Sequence, residues 1–141
     1  MTNPTTPDGL EHHTLTAALG IRGVSKALEF YAQAFGAREI HRSPGPDGKI
    51  VHAQMRIGDS LFFLGEEDPS LPHGYRSPRA LNGTTCAIYM YVPDADAVFE
   101  QAVRAGAEGL FPVSDQHWGD REGLVRDPFG HLWAVAMRKQ P

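Results

Sequence analysis

One cysteine, Cys86, stands in a chain of 141 residues, so no intrachain disulfide can form and a cysteine-rich zinc site is excluded. This suits a reducing compartment, and the cytoplasm is the expected location. Basic residues are scarce as well. Thirteen Lys and Arg against 17 Asp and Glu give a formal net charge of -4 and a pI near 5.9, with no basic stripe to hold nucleic acid. No apolar run approaches the ~18–20 residues that cross a bilayer. The start, MTNPTTPDGLE, lacks the basic and apolar stretches of a secretory leader and reads as a flexible tail over residues 1–12. Neither nucleic acid nor membrane is expected as a partner. Walker and GxGxxG motifs are absent, so no nucleotide cofactor is nominated, and the seven His residues never fall at His-x-x-x-His spacing.

What is present reads as one globular domain, with 41% hydrophobic and 21% charged residues. TLTAALGI, from Thr14 to Ile21, predicts a strand. SKALEFYAQAFG follows with Ala27, Leu28, Tyr31, Ala32 and Phe35 at helical spacing, Ser25 as a candidate N-cap and Gly36 as the stop. Strands are then predicted around Ala37 to Arg42, over IVHAQMRI and over SLFFLG, the last two joined tightly at Gly58-Asp59. These form a βαβββ unit over residues 13–66. The segment 67–83 is rich in Pro, Gly and charge and predicts a linker loop.

A second unit occupies residues 84–138: the strand TCAIYMYV, the helix ADAVFEQAVRAG stopping at Gly106, and strands near Gly109 to Val113, Gly123 to Arg126 and His131 to Met137. Setting Gly36 over Gly106 brings Ala27, Leu28, Ala32 and Ala37 onto Ala97, Val98, Ala102 and Ala107, a weak repeat with the same element order. Near the end, Asp127-Pro128-Phe129-Gly130 fits a type I turn joining two strands. His131 after it reads as a solvated strand-start residue, and DQHWGDREG before it as a loop that rims a ligand site.

The stretches ALEFYAQAFGA, HAQMRIGDSLFFL, VPDADAVFEQAVRAGA and DQHWGDREGLVRDPFGHLWAVA together resemble the vicinal oxygen chelate superfamily of glyoxalase I, extradiol dioxygenases, fosfomycin-resistance enzymes and bleomycin-resistance proteins. The last stretch is similar to its PhnB-like branch. The resemblance implies an α+β fold in which two βαβββ modules curl a mixed sheet into a cup with helices outside, and it implies a homodimer. Metal-dependent members hold an ion with one His, Glu or Gln from each of four strands, because nitrogen or oxygen lone pairs must converge at ~2 Å. The corresponding positions here are Thr16, Gln54, Ala87 and Ala134, of which only Gln54 is an ordinary ligand, so neither the metal nor any other cofactor is expected.

If Gln54 faces the cup, strand alternation brings His52 and Arg56 with it and turns Val51, Ala53, Met55 and Ile57 to the helices; the face of Ala87 carries Tyr89 and Tyr91. Thr16, Gln54, Tyr89, Tyr91, Trp118 and Ala134 are therefore candidate ligand contacts. The first expectation is a protein binding a small, partly aromatic molecule without metal, as antibiotic-binding members do. The alternative is a cofactor-free isomerase, lyase or cyclase with His52 as general base and Arg56 or a tyrosine holding developing negative charge. A metal-dependent lyase or dioxygenase is the third, and requires a different strand register. Arg56, if turned inward, needs an acidic partner or an anionic ligand.

Overall fold

The computed structural model describes residues 2–139. In chain order they form β1 (Ala17–Ile21), α1 (Val24–Phe35), β2 (Arg38–Pro44), β3 (Ile50–Ile57), β4 (Ser60–Glu66), α2 (Pro78–Leu81), β5 (Ala87–Tyr91), α3 (Ala95–Ala105), β6 (Glu108–Asp115), β7 (Asp120–Arg126) and β8 (Leu132–Arg138). Each half builds its own four-stranded mixed sheet, in the orders β1-β4-β3-β2 and β5-β8-β7-β6, the first and last strands of each half lying parallel at its centre and edge. The duplicated βαβββ order anticipated from the weak repeat is thus the architecture. The two sheets do not join. Among the described residues β1 and β5 are the edges of their sheets, so the expected mixed-sheet fold is built from two four-stranded sheets that are not closed.

Local chemistry explains most boundaries. Gly36 and Gly106 both end their helices at positive φ, 65° and 124°, which a side chain would resist. Gly58 and Asp59 form a two-residue turn between Ile57 and Ser60, Gly58 having φ 56°. Asp94 caps α3 by accepting from the Ala97 amide. Ser25 does not cap α1. The helix starts at Val24, and the Glu66 carboxylate, arriving from the end of β4, accepts from the Gly23 and Val24 amides at 2.9 and 3.0 Å. An acid from a distant strand therefore does what a local serine was expected to do, and it suits the positive end of the helix dipole.

The first strand starts at Ala17 rather than Thr14. The 67–83 segment is not featureless: Ser77 caps the one-turn helix α2, whose first residue is Pro78, and Asn82 ends it at φ 55°. That segment is pinned to the first sheet, since the Tyr75 ring lies on Gly65 and the Arg76 carbonyl on Gly20, both at distances a Cβ would violate. Val51, expected toward the helices, is 40% exposed at a strand end irregular in its pairing with β2. Residues 4–12, expected as a free tail, fold into a small hairpin with a Thr5–Glu11 bridge, and Thr6 in it is buried.

One core serves both modules. Tyr31 and Phe35 of α1 pack on Trp133 of β8, with ring centroids 5.3 and 4.7 Å away, and Phe62 of β4 meets the same indole at 5.7 Å. At its centre is Asp127 of the DPFG turn, 2% exposed. Its Oδ1 accepts from the Phe129 and His131 amides, closing the turn; its Oδ2 accepts from the Tyr31 hydroxyl at 2.5 Å and the Trp133 indole at 2.9 Å. Burial, then the neighbouring Asp127 charge, pushes the Tyr31 phenol well above its usual range. His131 is half-buried rather than solvated, because its Nε2 meets the Gly20 carbonyl of the other module at 2.8 Å.

Candidate functional site

On β5, Ile88 and Met90 belong to the core while Ala87, Tyr89 and Tyr91 face outward. Both tyrosine hydroxyls donate to Oδ2 of Asp120, at 2.6 Å from Tyr89 and 2.9 Å from Tyr91. Asp120 opens β7, and β8 lies between β7 and β5, so both phenol rings must cross β8 to reach it. Ala134 and Ala136, their register partners on β8, are 3% and 0% exposed, and their methyl groups are short enough to let the rings pass. The space over Ala134 and Ala136 is taken by the protein's own tyrosines.

The two rings stand 5.5 Å apart with 61° between their planes, forming a corner rather than a flat floor. Trp118 closes one side by donating its indole N–H to the Tyr89 oxygen at 3.2 Å. Tyr89, Tyr91 and Trp118 are 44%, 57% and 49% exposed. Burial and the bond to Asp120 push the Tyr89 phenol up to about 12, and the same acid raises Tyr91. The two hydroxyls hold the Asp120 carboxyl below the usual carboxylate range, whereas burial, with the Asp120 charge, raises Glu122 two residues along β7.

Tyr89 and Tyr91 also line a cleft of about 710 Å³ between the two open edges, β1 and β5. Its apolar walls include Leu15, Leu19, Phe35, Met90 and Trp133, and the Gly58–Ser60 turn closes one end. The volume falls within the roughly 300–1,000 Å³ of small-molecule pockets.

The other nominated residues lie elsewhere. Gln54, His52 and Arg56 share the outer face of the first sheet and do not line the cleft. Arg56 is 5% exposed and committed to the N-terminal hairpin: its Nε donates to Asp8 at 3.0 Å and its Nη2 to Thr6 at 3.3 Å. Thr6, then Arg56, holds the Asp8 carboxyl down at about 2. The acidic partner that an inward Arg56 requires comes from the stretch read as a tail. His52 packs edge-on to Phe63, 5.5 Å between ring centroids. Gln54 is half-buried, and its Oε1 meets no hydrogen-bond donor among the described residues. Thr16 precedes β1 and is not among the cleft residues. Tyr89 and Tyr91 line the cleft, Trp118 and Ala134 adjoin Tyr89 without lining it, and Thr16, His52, Gln54 and Arg56 do not line it. Asp120, Glu122 and Arg138 were missed. The alternation of Asp120 and Glu122 with Leu124 along β7 was available in the sequence, but the loop reading of DQHWGDREG ran past the true strand start at Asp120; Arg138 ends β8.

The profile of the Glyoxalase/Bleomycin resistance protein/Dioxygenase superfamily matches residues 11–135. The chain belongs to that superfamily. An uncharacterised protein of Mycobacterium bovis is 42% identical over 124 residues, spanning 87% of this chain and 82% of the relative. Among solved structures, TioX from Micromonospora sp. ML1 superposes with a TM-score of 0.69 at 27% identity, covering 92% of this chain and 98% of TioX. A gene product of Arabidopsis thaliana does so with a TM-score of 0.69 at 28% identity, covering 88% and 98%.

Superfamily membership makes the chelated ion a question of donors. Gln54 pairs with Phe63, which pairs with Ala18, so Thr16 is out of its row; Ala134 pairs with Tyr89, so Ala87 is out of its own. In the observed register the row of Gln54 holds Phe63 and Ala18, and the row of Ala134 holds Tyr89, whose hydroxyl is already bound to Asp120, so Gln54 remains the one ordinary ligand among them. Among the described residues no group of three His, Cys, Asp or Glu could hold an ion. This donor set does not fit the superfamily's metal. Among the same residues no helix is long and apolar enough to cross a membrane.

Proposed function

We propose that this chain binds a small, partly aromatic molecule without a chelated metal, and that Tyr89, Tyr91 and Trp118 hold it at the mouth of the cleft between β1 and β5. The observation that carries this reading is the anchoring of two half-exposed tyrosines by one buried carboxylate. Rings fixed by hydrogen bonds lose little freedom when a ligand arrives, so more of the contact energy appears as affinity. Edge-to-face and stacked aromatic contacts contribute about 0.5–1.5 kcal/mol each beyond area burial.

Trp118 and Trp133 make the test direct, because one indole is half-exposed at the site and the other is buried. Titration with a panel of bicyclic aromatic compounds is expected to quench or shift the Trp118 emission, with the change absent in Trp118→Phe. A ligand at a hundred times its Kd should also add about 2.7 kcal/mol to stability. Tyr91→Ala should weaken binding. A panel that moves neither signal would overturn the reading.

Ala134 serves this site as the floor beneath Tyr89, and Gln54 and Thr16 keep a place in it only if a second copy brings the first sheet's outer face opposite the second's. We assign the chain to such a homodimer, supported by the open edges of β1 and β5 and the exposed Tyr89, Tyr91, Phe111 and Trp118; sedimentation velocity checks it. We further assign it to the PhnB-like branch on the stretch ending DPFGHLWAVA. No observation favours catalysis by His52 and Arg56, since Arg56 is held by Asp8 and His52 packs on Phe63.

A further inference from the structure

The aromatic corner lies over acid. Asp120 is 1% exposed, and although its Oδ2 accepts hydrogen bonds from both tyrosine hydroxyls, its Oδ1 is buried without a hydrogen-bond donor among the described residues. The cation beside that oxygen is Arg138, whose Nη1 stands 3.4 Å away on a side chain 74% exposed. The same guanidinium lies 5.7 Å from the centroid of the Tyr91 ring. Glu122, in register with Ala136 and hence on the same face as Tyr91, is half-buried. Arg121 between the two acids does not neutralise them, because it is engaged with Asp96 at 2.9 Å and Asp115 at 3.2 Å.

Three physical effects then point one way. A phenol face is negative, and a cation within about 6 Å of the ring centroid is attracted to it. A phenol that donates its proton to a carboxylate is richer in electron density than a free one, and both tyrosines do so. The two carboxylates behind the rings repel an anion and attract a cation across a surface that water only partly screens. Arg138 already exploits this arrangement, yet it does so from a long, exposed tether and without hydrogen-bonding the oxygen it neutralises.

We propose that the corner of Tyr89, Tyr91 and Trp118 takes an organic cation, a protonated or quaternary nitrogen carried on an aromatic frame, and that the Arg138 guanidinium is the chain's own occupant of that position, displaced when the ligand binds. The proposal rests on the reading of these three side chains as the ligand site and adds the charge of the ligand. A neutral aromatic gains only the ring contacts. An aromatic carboxylate meets Asp120 and Glu122 unfavourably.

The test compares three probes of similar ring area on the full chain: N-methylquinolinium, quinoline at mildly alkaline pH where it is neutral, and 2-naphthoate, each followed by Trp118 emission. N-methylquinolinium is expected to bind about tenfold more tightly than quinoline, with 2-naphthoate weakest. Arg138→Gln should tighten the cation about threefold and quinoline by less, since it removes a competing occupant for both but a like charge only for the cation. Arg104→Gln, exposed at the end of α3, controls for overall charge and should do less. Glu122→Gln should loosen the cation selectively, and it is preferred to Asp120→Asn because Asp120 also holds both tyrosines in place. Quinoline binding as tightly as the cation, or a weaker cation complex in Arg138→Gln, overturns the cation assignment and leaves aromatic binding standing. Failure of all three probes overturns both.

Discussion

Removing the Asp127 carboxylate should cost this protein a large part of its stability. In Asp127→Ala the Tyr31 hydroxyl and the Trp133 indole N–H, both buried, lose their shared acceptor, and the Phe129 and His131 amides lose the oxygen that closes the turn. Each orphaned buried donor costs about 1–3 kcal/mol, so the two side chains alone predict about 2–6 kcal/mol, against the roughly 5–15 kcal/mol of a typical domain. Tyr31→Phe removes one donor and leaves the acid with three, and should cost only about 1–2 kcal/mol. Asp127→Asn should fall between, because an amide can present one oxygen but turns an N–H₂ toward other donors. Urea unfolding followed by tryptophan emission gives the measurement. With a slope of about 1–3 kcal/mol per molar, the Asp127→Ala midpoint should drop by at least about 0.7 M at unchanged slope. The double variant Tyr31→Phe/Asp127→Ala should be less destabilised than the sum of its parts, because the hydroxyl that Asp127→Ala strands is then gone. An Asp127→Ala protein within 1 kcal/mol of the parent, or strict additivity, would refute the view that one acid locks α1 of the first module to β8 of the second.

Acid should release the N-terminal hairpin. Asp8 is held at about 2 against its ordinary 3.8, so its contribution is fully present above pH 4 and is lost as pH falls from about 4 to 2; the gap in melting temperature between wild type and Asp8→Asn should therefore be open at pH 6 and closed at about pH 2. At the other extreme, Tyr89 at about 12 against 10 stabilises the fold below pH 10 and loses that effect as pH rises through 12. Ultraviolet titration should accordingly find its tyrosinate forming late in wild type and earlier in Asp120→Asn. Ala134→Leu puts a branched chain where the Tyr89 ring crosses β8, and should cost about 1–3 kcal/mol in urea unfolding while altering Trp118 emission; an unchanged emission spectrum would show that the ring does not lie there.

The local devices were readable because they depend on short-range chemistry. Gly36 and Gly106 stop helices whatever surrounds them, Gly58-Asp59 turns a hairpin, and DPFG closes itself with its own aspartate. The Ser25 cap failed because the helix starts one residue earlier, at Val24, where Glu66, 41 residues beyond Ser25, accepts from the Gly23 and Val24 amides. The hairpin at residues 4–12 was invisible because its stability comes from Arg56, and nothing between Thr5 and Glu11 announces a distant guanidinium.

Sequence alone determined two βαβββ modules, their superfamily resemblance, and the shared face of Ala87, Tyr89 and Tyr91, since periodicity and turn residues act within a few positions of where they stand. Tertiary structure decided what occupies the space above Ala134, which acid answers Arg56, and which nominated side chains meet. Those outcomes follow from strand register and from how two sheets are placed about a shared core, and a charge or a ring finds its partner across that placement rather than along the chain.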